Sequence, residues 1–246
     1  MGSDALHLLI DAGNTRIKWG VHDGRGWLHS GAIGTAASAT LAEAWSALGP
    51  VKHATACNVA GERVQDNLFS ACGAGGIALD VIRSPARQLG VTNGYRDPSQ
   101  LGADRWAALV AAHHAERGHK LVVNAGTALT IDALADDGRF LGGLIVPGPA
   151  LMRRSLDRGT AGLRLTEGEF QDFPTATPDA ITSGAIQASA GAIARLAERM
   201  AASGVPPSRI LLSGGAAREI APHLPIAHAI HENLVLDGLA LIARSS

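Results

Sequence analysis

A chain of 246 residues with 46% hydrophobic residues, 17% charged residues and a formal net charge of −1 can bury a substantial core and is not intrinsically disordered. Near-zero charge and 4% aromatic residues argue against a nucleic-acid partner, and no run of 18 apolar residues is present to span a membrane. The first four residues lack the basic flank of a signal peptide, so a cytoplasmic location is expected. Cys57 and Cys72 have no CxxC spacing and read as small buried hydrophobes; the ten histidines include no HExxH.

In chain order, residues 6–12 form an apolar run broken by Gly13-Asn14, a hairpin signal. The chain returns through 17–21, turns at Asp23-Gly24 and continues through 27–33, which gives three antiparallel strands. A helix over 37–48, a strand over 51–59, a helix over 62–72 and a strand over 77–82 follow. Residues 84–101 read as irregular. Residues 104–117 read as a helix, with Asp104 in the first turn and Gly118 just past its end.

The pattern then restarts. A strand over 120–125 ends in Gly126-Thr127, a return strand covers 129–134, and a third follows an Asp137-Gly138 turn over 140–146. Leu9-Ile10-Asp11-Ala12-Gly13 and Val122-Val123-Asn124-Ala125-Gly126 share this grammar at an offset of 113 residues. A helix over 179–202, a strand over 209–213 and a final helical region opened by Gly214-Gly215 complete the second half. Two copies only point to a duplicated α/β fold with halves 1–118 and 119–246.

Each hairpin turn presents small residues whose backbone N–H groups can approach a phosphate, and Asn14 and Thr15 add donors. Asp11, at a strand end, is suited to orienting hydrated Mg²⁺. Lys18, one of three lysines against eighteen arginines, lies three residues past the turn. Taken alone, the first hairpin is equally an ordinary Asp/Asn/Gly turn. The second turn, matched at the same place in the repeat, favours phosphate binding, with the two hairpins expected to face each other across a nucleotide cleft. There is no P-loop, no Gly-Lys dipeptide, no GxSxG and no SxxK, so acyl chemistry has no support.

The strings Asp11-Ala12-Gly13-Asn14-Thr15-Arg16-Ile17-Lys18, Gly102-Ala103-Asp104-Arg105 and Ala125-Gly126-Thr127-Ala128-Leu129-Thr130 together resemble type III pantothenate kinase. Gly142-Gly143 running on to Pro147-Gly148 does so too. The resemblance covers nearly the whole chain. It implies the duplicated ribonuclease-H-like fold of the acetate and sugar kinase/Hsc70/actin superfamily, with two mixed sheets flanked by helices. The implied activity is ATP-dependent phosphorylation of pantothenate, the first step of coenzyme A biosynthesis, by a homodimer. Residue by residue, it implies that Asp11 to Lys18 are the ATP phosphate loop and Thr127 a second nucleotide contact. Tyr95, Gly102, Ala103, Asp104, Arg105 and Thr177 would contact substrate, with Asp104 as catalytic base and Arg105 on the pantothenate carboxylate. Mg²⁺ is expected with ATP. Relatives commonly carry Asp where Asn124 stands, so a K⁺ or NH₄⁺ site is implied there with one negative charge fewer. For the dimer, the 179–202 helix offers small Gly184, Ala188, Gly191, Ala192 and Ala197, with Ile186, Ile193, Leu196 and Met200 to fill a seam. An intramolecular helix explains that composition equally well. The alternatives are another small-molecule kinase of the superfamily or a regulatory accessory protein on the same fold.

Overall fold

The computed structural model describes residues 6–159 and 167–245; the opening four residues read above lie outside them. The chain divides into two compact units, Met1–Ala115 with Asn233–Ser246, and Glu116–Glu232.

In the first unit, β1 (His7–Ala12), β2 (Arg16–His22) and β3 (Trp27–Gly34) form an antiparallel meander. A 3₁₀ turn (Thr35–Thr40) and the short α1 (Leu41–Trp45) follow, then β4 (His53–Asn58), α2 (Glu62–Ala74) and β5 (Ala78–Val81). The strands β4 and β5 add to β1 in parallel, giving the order β3-β2-β1-β4-β5. A small hairpin, β6 (Arg87–Gln88) with β7 (Val91–Thr92), interrupts the segment read as irregular and leads to α3 (Ala103–Ala115). Strand alternation decides which face is apolar. Leu8, Ile10, Ala12, Ile17, Trp19, Val21, Ala54 and Ala56 pack against Leu41 and Trp45 of α1 and Val64, Leu68, Ala71 and Cys72 of α2. The helix read over 37–48 is two shorter pieces, the 3₁₀ turn and α1, because Thr40 between them leaves helical geometry.

In the second unit, β8 (Lys120–Ala125), β9 (Ala128–Leu134) and β10 (Phe140–Pro147) repeat the meander. The helices α4 (Pro149–Gly159) and α5 (Thr177–Ala202), β11 (Arg209–Ser213), the one-turn α6 (Ala217–Ile220) and β12 (His228–Ile230) follow. The order β10-β9-β8-β11-β12 has the same strand directions as the first sheet. The core joins Leu121, Val123, Leu129, Ile131, Ile210 and Leu212 to Ile193, Ala197 and Met200 of α5. Ile193 and Met200, expected to fill a seam between copies, are thus spent on the chain's own core, and Ile186 is buried too. Gly184, Ala188 and Gly191 stay exposed.

The last helix, α7 (Leu234–Ala243), belongs to the first unit and packs on α3. Their backbones approach so closely that a Cβ at Gly238 would stand 1.9 Å from the Ala107 carbonyl oxygen. Both helices lie on the sheet face opposite the apolar core, where Leu9 is fully buried.

Candidate active site

Two register pairs set the centre of the first unit. Asp11 on β1 stands opposite Lys18 on β2 and Cys57 on β4, so all three side chains leave the same sheet face. Their row lies at the C-terminal ends of the parallel strands β1 and β4, where open α/β sheets gather ligands. The Cys57 thiol donates to Asp11 Oδ1 across 3.5 Å. Burial, and then the nearby Asp104 charge, push the Asp11 carboxyl up to about 6, with Cys57 and Lys18 pulling the other way. Cys57 is fully buried, and burial with the charges of Asp11 and Asp104 holds its thiol well above the usual range.

The β1–β2 turn is closed by Gly13 N–H donating to the Arg16 carbonyl at 3.1 Å, and Thr35 Oγ1 donates to the Gly13 carbonyl at 2.7 Å. Asn14, Thr15 and Arg16 are exposed, Gly13 and Lys18 half-buried. The side chains of Ala12 and Ile17 are in the hydrophobic core, which leaves only their backbone groups available to a nucleotide.

Asp104 enters the same region from the first turn of α3. Its Oδ1 accepts the Arg105 N–H at 2.8 Å. Burial raises its carboxyl, opposed by the backbone amide and charge of Arg105. A Cβ at Gly102 would come 2.6 Å from Asp104 Oδ1, so a larger residue there would displace that carboxylate. Arg105 is 5% exposed, and its guanidinium donates to the Tyr95 hydroxyl at 2.9 Å. Asp11, Cys57, Asp104, Arg105 and Tyr95 are therefore one neighbourhood. Two desolvated carboxylates beside each other favour a cation, which relieves their repulsion. Among the described residues, no group of three or more His, Cys, Asp or Glu is arranged to hold a metal ion by itself.

In the second unit, Asn124 on β8 pairs with Thr130 on β9 and Ser213 on β11. The following turn is packed backbone against backbone. Gly148 N–H donates to the Thr127 carbonyl at 2.9 Å, and Ala216 N–H to the Ala125 carbonyl at 3.0 Å. A Cβ at Gly148 would lie 2.1 Å from the Gly126 carbonyl oxygen, and one at Gly214, whose φ is +95°, would lie 2.5 Å from that of Ala125. Thr127 is half-buried, while Thr177 is exposed as the first residue of α5.

Two residues were missed at the level of sequence. Cys57 reads as an inert hydrophobe because its meeting with Asp11 depends on non-local strand register. Asn93, within the segment read as irregular, is buried and holds that segment together.

A family model described as type III pantothenate kinase matches residues 7–199. A type III pantothenate kinase of Aromatoleum aromaticum is 46% identical over 237 residues, covering 96% of this chain and 97% of its own. One from Nitrosospira multiformis is 44% identical over 241 residues, covering 98% and 92%. Among solved structures, a candidate 2-dehydro-3-deoxygalactonokinase from Sinorhizobium meliloti covers 97% of this chain and 98% of its own, with TM-score 0.65 and 16% identity. A ROK family glucokinase from Streptomyces griseus, in complex with glucose and AMPPNP, covers 98% and 100% with TM-score 0.51 and 14% identity. These last two likenesses show the fold, a duplicated ribonuclease-H-like architecture of the sugar kinase and actin type. With motifs, topology and near-full-length relatives in agreement, the chain belongs to the type III pantothenate kinase family.

Proposed function

We propose that Asp104 is the general base of the reaction the family carries out, ATP-dependent phosphorylation of pantothenate at the head of coenzyme A biosynthesis. The observation that carries this reading is the desolvated carboxyl of Asp104, in the first turn of α3 with Arg105 next to it, close enough to Asp11 at the end of β1 for its charge to raise the Asp11 carboxyl. Phosphoryl transfer needs positioning and charge stabilisation more than covalent chemistry. Asp104 Oδ2 takes the proton of the primary alcohol of pantothenate as the alcohol oxygen attacks the γ-phosphorus of ATP. Arg105, steadied by Tyr95, offers a planar fork to the pantothenate carboxylate. The turn 11–18 cradles ATP phosphates through backbone donors, Asn14 and Thr15, with Lys18 as a point charge.

Kinases of this family use ATP with a divalent metal. We infer Mg²⁺, arriving on the nucleotide and partly held by Asp11, where it would neutralise charge on the transferring phosphoryl group. Thr127 is proposed as a second ATP contact, Thr177 as a pantothenate contact, and Gly102 and Ala103 as the backbone that presents Asp104. Asn124 is proposed as a carbonyl ligand for K⁺ or NH₄⁺, with weak dependence because no carboxylate stands there.

A homodimer is proposed on exposed apolar side chains together with the small residues of α5. Leu144 and Ile145 on edge strand β10, and Leu151 and Leu156 on α4, are exposed apolar side chains in the second unit. Gly184, Ala188 and Gly191 leave the neighbouring α5 smooth on its exposed side. The halves 1–118 and 119–246 are proposed as the duplicated units, with α7 of the second half completing the first compact unit. No helix of the described residues is long and apolar enough to cross a membrane, and we assign the enzyme to the cytoplasm, where ATP is supplied. The test is ADP release from ATP with and without pantothenate. Release that requires pantothenate and yields 4′-phosphopantothenate supports the reading; release driven by another alcohol and not by pantothenate contradicts it.

A further inference from the structure

We propose that Asn93 is a positioning residue for the acid-recognising end of the substrate site, acting on Arg105 through Tyr95. The inference rests on the substrate reading above and adds a residue that makes no contact with substrate itself.

The segment between β5 and α3 has little regular structure, yet it delivers Tyr95 to Arg105. Its base is closed by Ser84 Oγ donating to the Leu101 carbonyl at 2.7 Å. Its hairpin is fixed to α3, because Trp106 Nε1 donates to Gln88 Oε1 at 3.1 Å and His114 Nε2 lies 2.9 Å from the Leu89 carbonyl oxygen. In the stretch from 93 to 98, one side-chain amide makes three bonds. Asn93 Nδ2 donates to the Pro85 carbonyl at 3.3 Å and to the Pro98 carbonyl at 3.2 Å, and Oδ1 accepts the Tyr95 N–H at 3.1 Å. Both amide hydrogens and the oxygen are thus in use. Asn93 is 8% exposed, so a lost bond is not readily replaced by water.

What this amide controls is the place of one ring. Tyr95 N–H is bonded to Asn93, and the Tyr95 hydroxyl accepts from the Arg105 guanidinium at 2.9 Å. Arg105 adjoins Asp104 in sequence, but its guanidinium sits at the far end of a long side chain and needs a fixed neighbour to hold its orientation. Freeing the Asn93 side of Tyr95 loosens that neighbour, while the Asp11–Lys18 turn and the first turn of α3 stay in place. The effect is expected on pantothenate recognition, apart from ATP recognition and from proton transfer.

The test compares Asn93→Ala, Asn93→Asp and Tyr95→Phe, with the Asn93→Ala/Tyr95→Phe double variant. In Asn93→Ala, KM for pantothenate should rise about tenfold or more, while KM for ATP and kcat at saturating pantothenate stay within about threefold. In the double variant the loss should be smaller than the product of the two single losses, because both act through one contact. Asn93→Asp keeps the acceptor for Tyr95 but, ionised, faces two carbonyls with no proton to give. Burial and the two carbonyls disfavour its ionised form, so its KM defect relative to wild type should grow as pH rises from 5 to 8, a pH dependence that the alanine variant should lack. Should Asn93→Ala fail to fold, the aspartate variant and its pH dependence carry the test. Unchanged KM for pantothenate, equal rises in both KM values, or multiplicative losses in the double variant would overturn the proposal. Wild-type turnover of pantothenate, measured alongside, keeps failure of the positioning role separate from failure of the substrate reading.

Discussion

The Cys57 thiol donates to Asp11 Oδ1 across 3.5 Å, from a strand whose register with β1 puts the two side chains on one sheet face. A thiol is a weak donor, and it only partly offsets the cost of burying the carboxylate beside Asp104. The ligand-free site therefore carries a charge cost that a bound cation would relieve.

This cost has a sign in stability. The Asp11 carboxyl is raised to about 6 in the fold, from an ordinary value of 3.8, so the folded state binds the extra proton between those two values. The Asp11 contribution is fully present below about pH 4 and is lost as pH rises toward 6. At pH 7 the ionised form costs the ligand-free fold about 3 kcal/mol. Asp11→Asn should accordingly stabilise the ligand-free protein by about 1–3 kcal/mol at pH 7 and remove that part of the pH dependence, while kinase activity falls. His7 works in the opposite sense, since burial and the charges of His53 and His22 lower it and its contribution is lost as pH falls below 6.5. The difference between wild type and Asp11→Asn in urea unfolding at pH 4.5 and pH 7 isolates Asp11. Equal stabilities at pH 7 would contradict the charge cost.

Two glycines separate packing from function. Gly238→Ala drives a methyl to 1.9 Å from the Ala107 carbonyl oxygen and must part α7 from α3. A loss of about 3 kcal/mol or more in unfolding free energy is expected. Gly148→Ala meets the Gly126 carbonyl oxygen at 2.1 Å and so displaces the turn that carries Thr127. A comparable loss is expected there, with a rise in KM for ATP in whatever folds. Urea unfolding and ATP titration check both; a neutral Gly238→Ala would show that the two helices can slide apart without cost.

Much of this was legible from residues 9–13 and 122–126, because a hairpin is a local object. Gly13-Asn14 and Gly126-Thr127 sit where the chain must reverse, and the alternation on either side fixes the buried face. The α4 helix was not foreseen. Its Leu151, Met152 and Leu156 share one face, an amphipathic signal that a motif-led reading passes over, and most of its side chains stay exposed. The three-residue β12 is too short to carry an alternation, and α5 begins at Thr177, two residues before the acid taken as its start. At the site, Asp11, Asp104 and Arg105 are legible because their motifs are contiguous. Cys57 and Asn93 are not, since their partners are set by strand register and by the path of a loop.

Asn124 offers a chemical test of the second unit. It offers a carbonyl oxygen but no charge, so on the proposed reading weak dependence on K⁺ is expected of the wild type. Asn124→Asp should strengthen the K⁺ response by about ten- to hundred-fold in half-saturating concentration. Activity titrated with K⁺ against choline at constant ionic strength reads both. Steep, saturable activation of the wild type at low millimolar K⁺ would show that carbonyl ligands suffice.

The most direct measurement is the turnover of Asp104→Asn. The substitution keeps Oδ1 as an acceptor for the Arg105 N–H and removes the carboxylate proposed to take the alcohol proton. With ATP binding checked separately by calorimetry, ADP release at saturating ATP and pantothenate should fall about 10²-fold or more, with ATP affinity within about threefold of wild type. Turnover within about threefold of wild type in a folded Asp104→Asn variant would contradict Asp104 as the base.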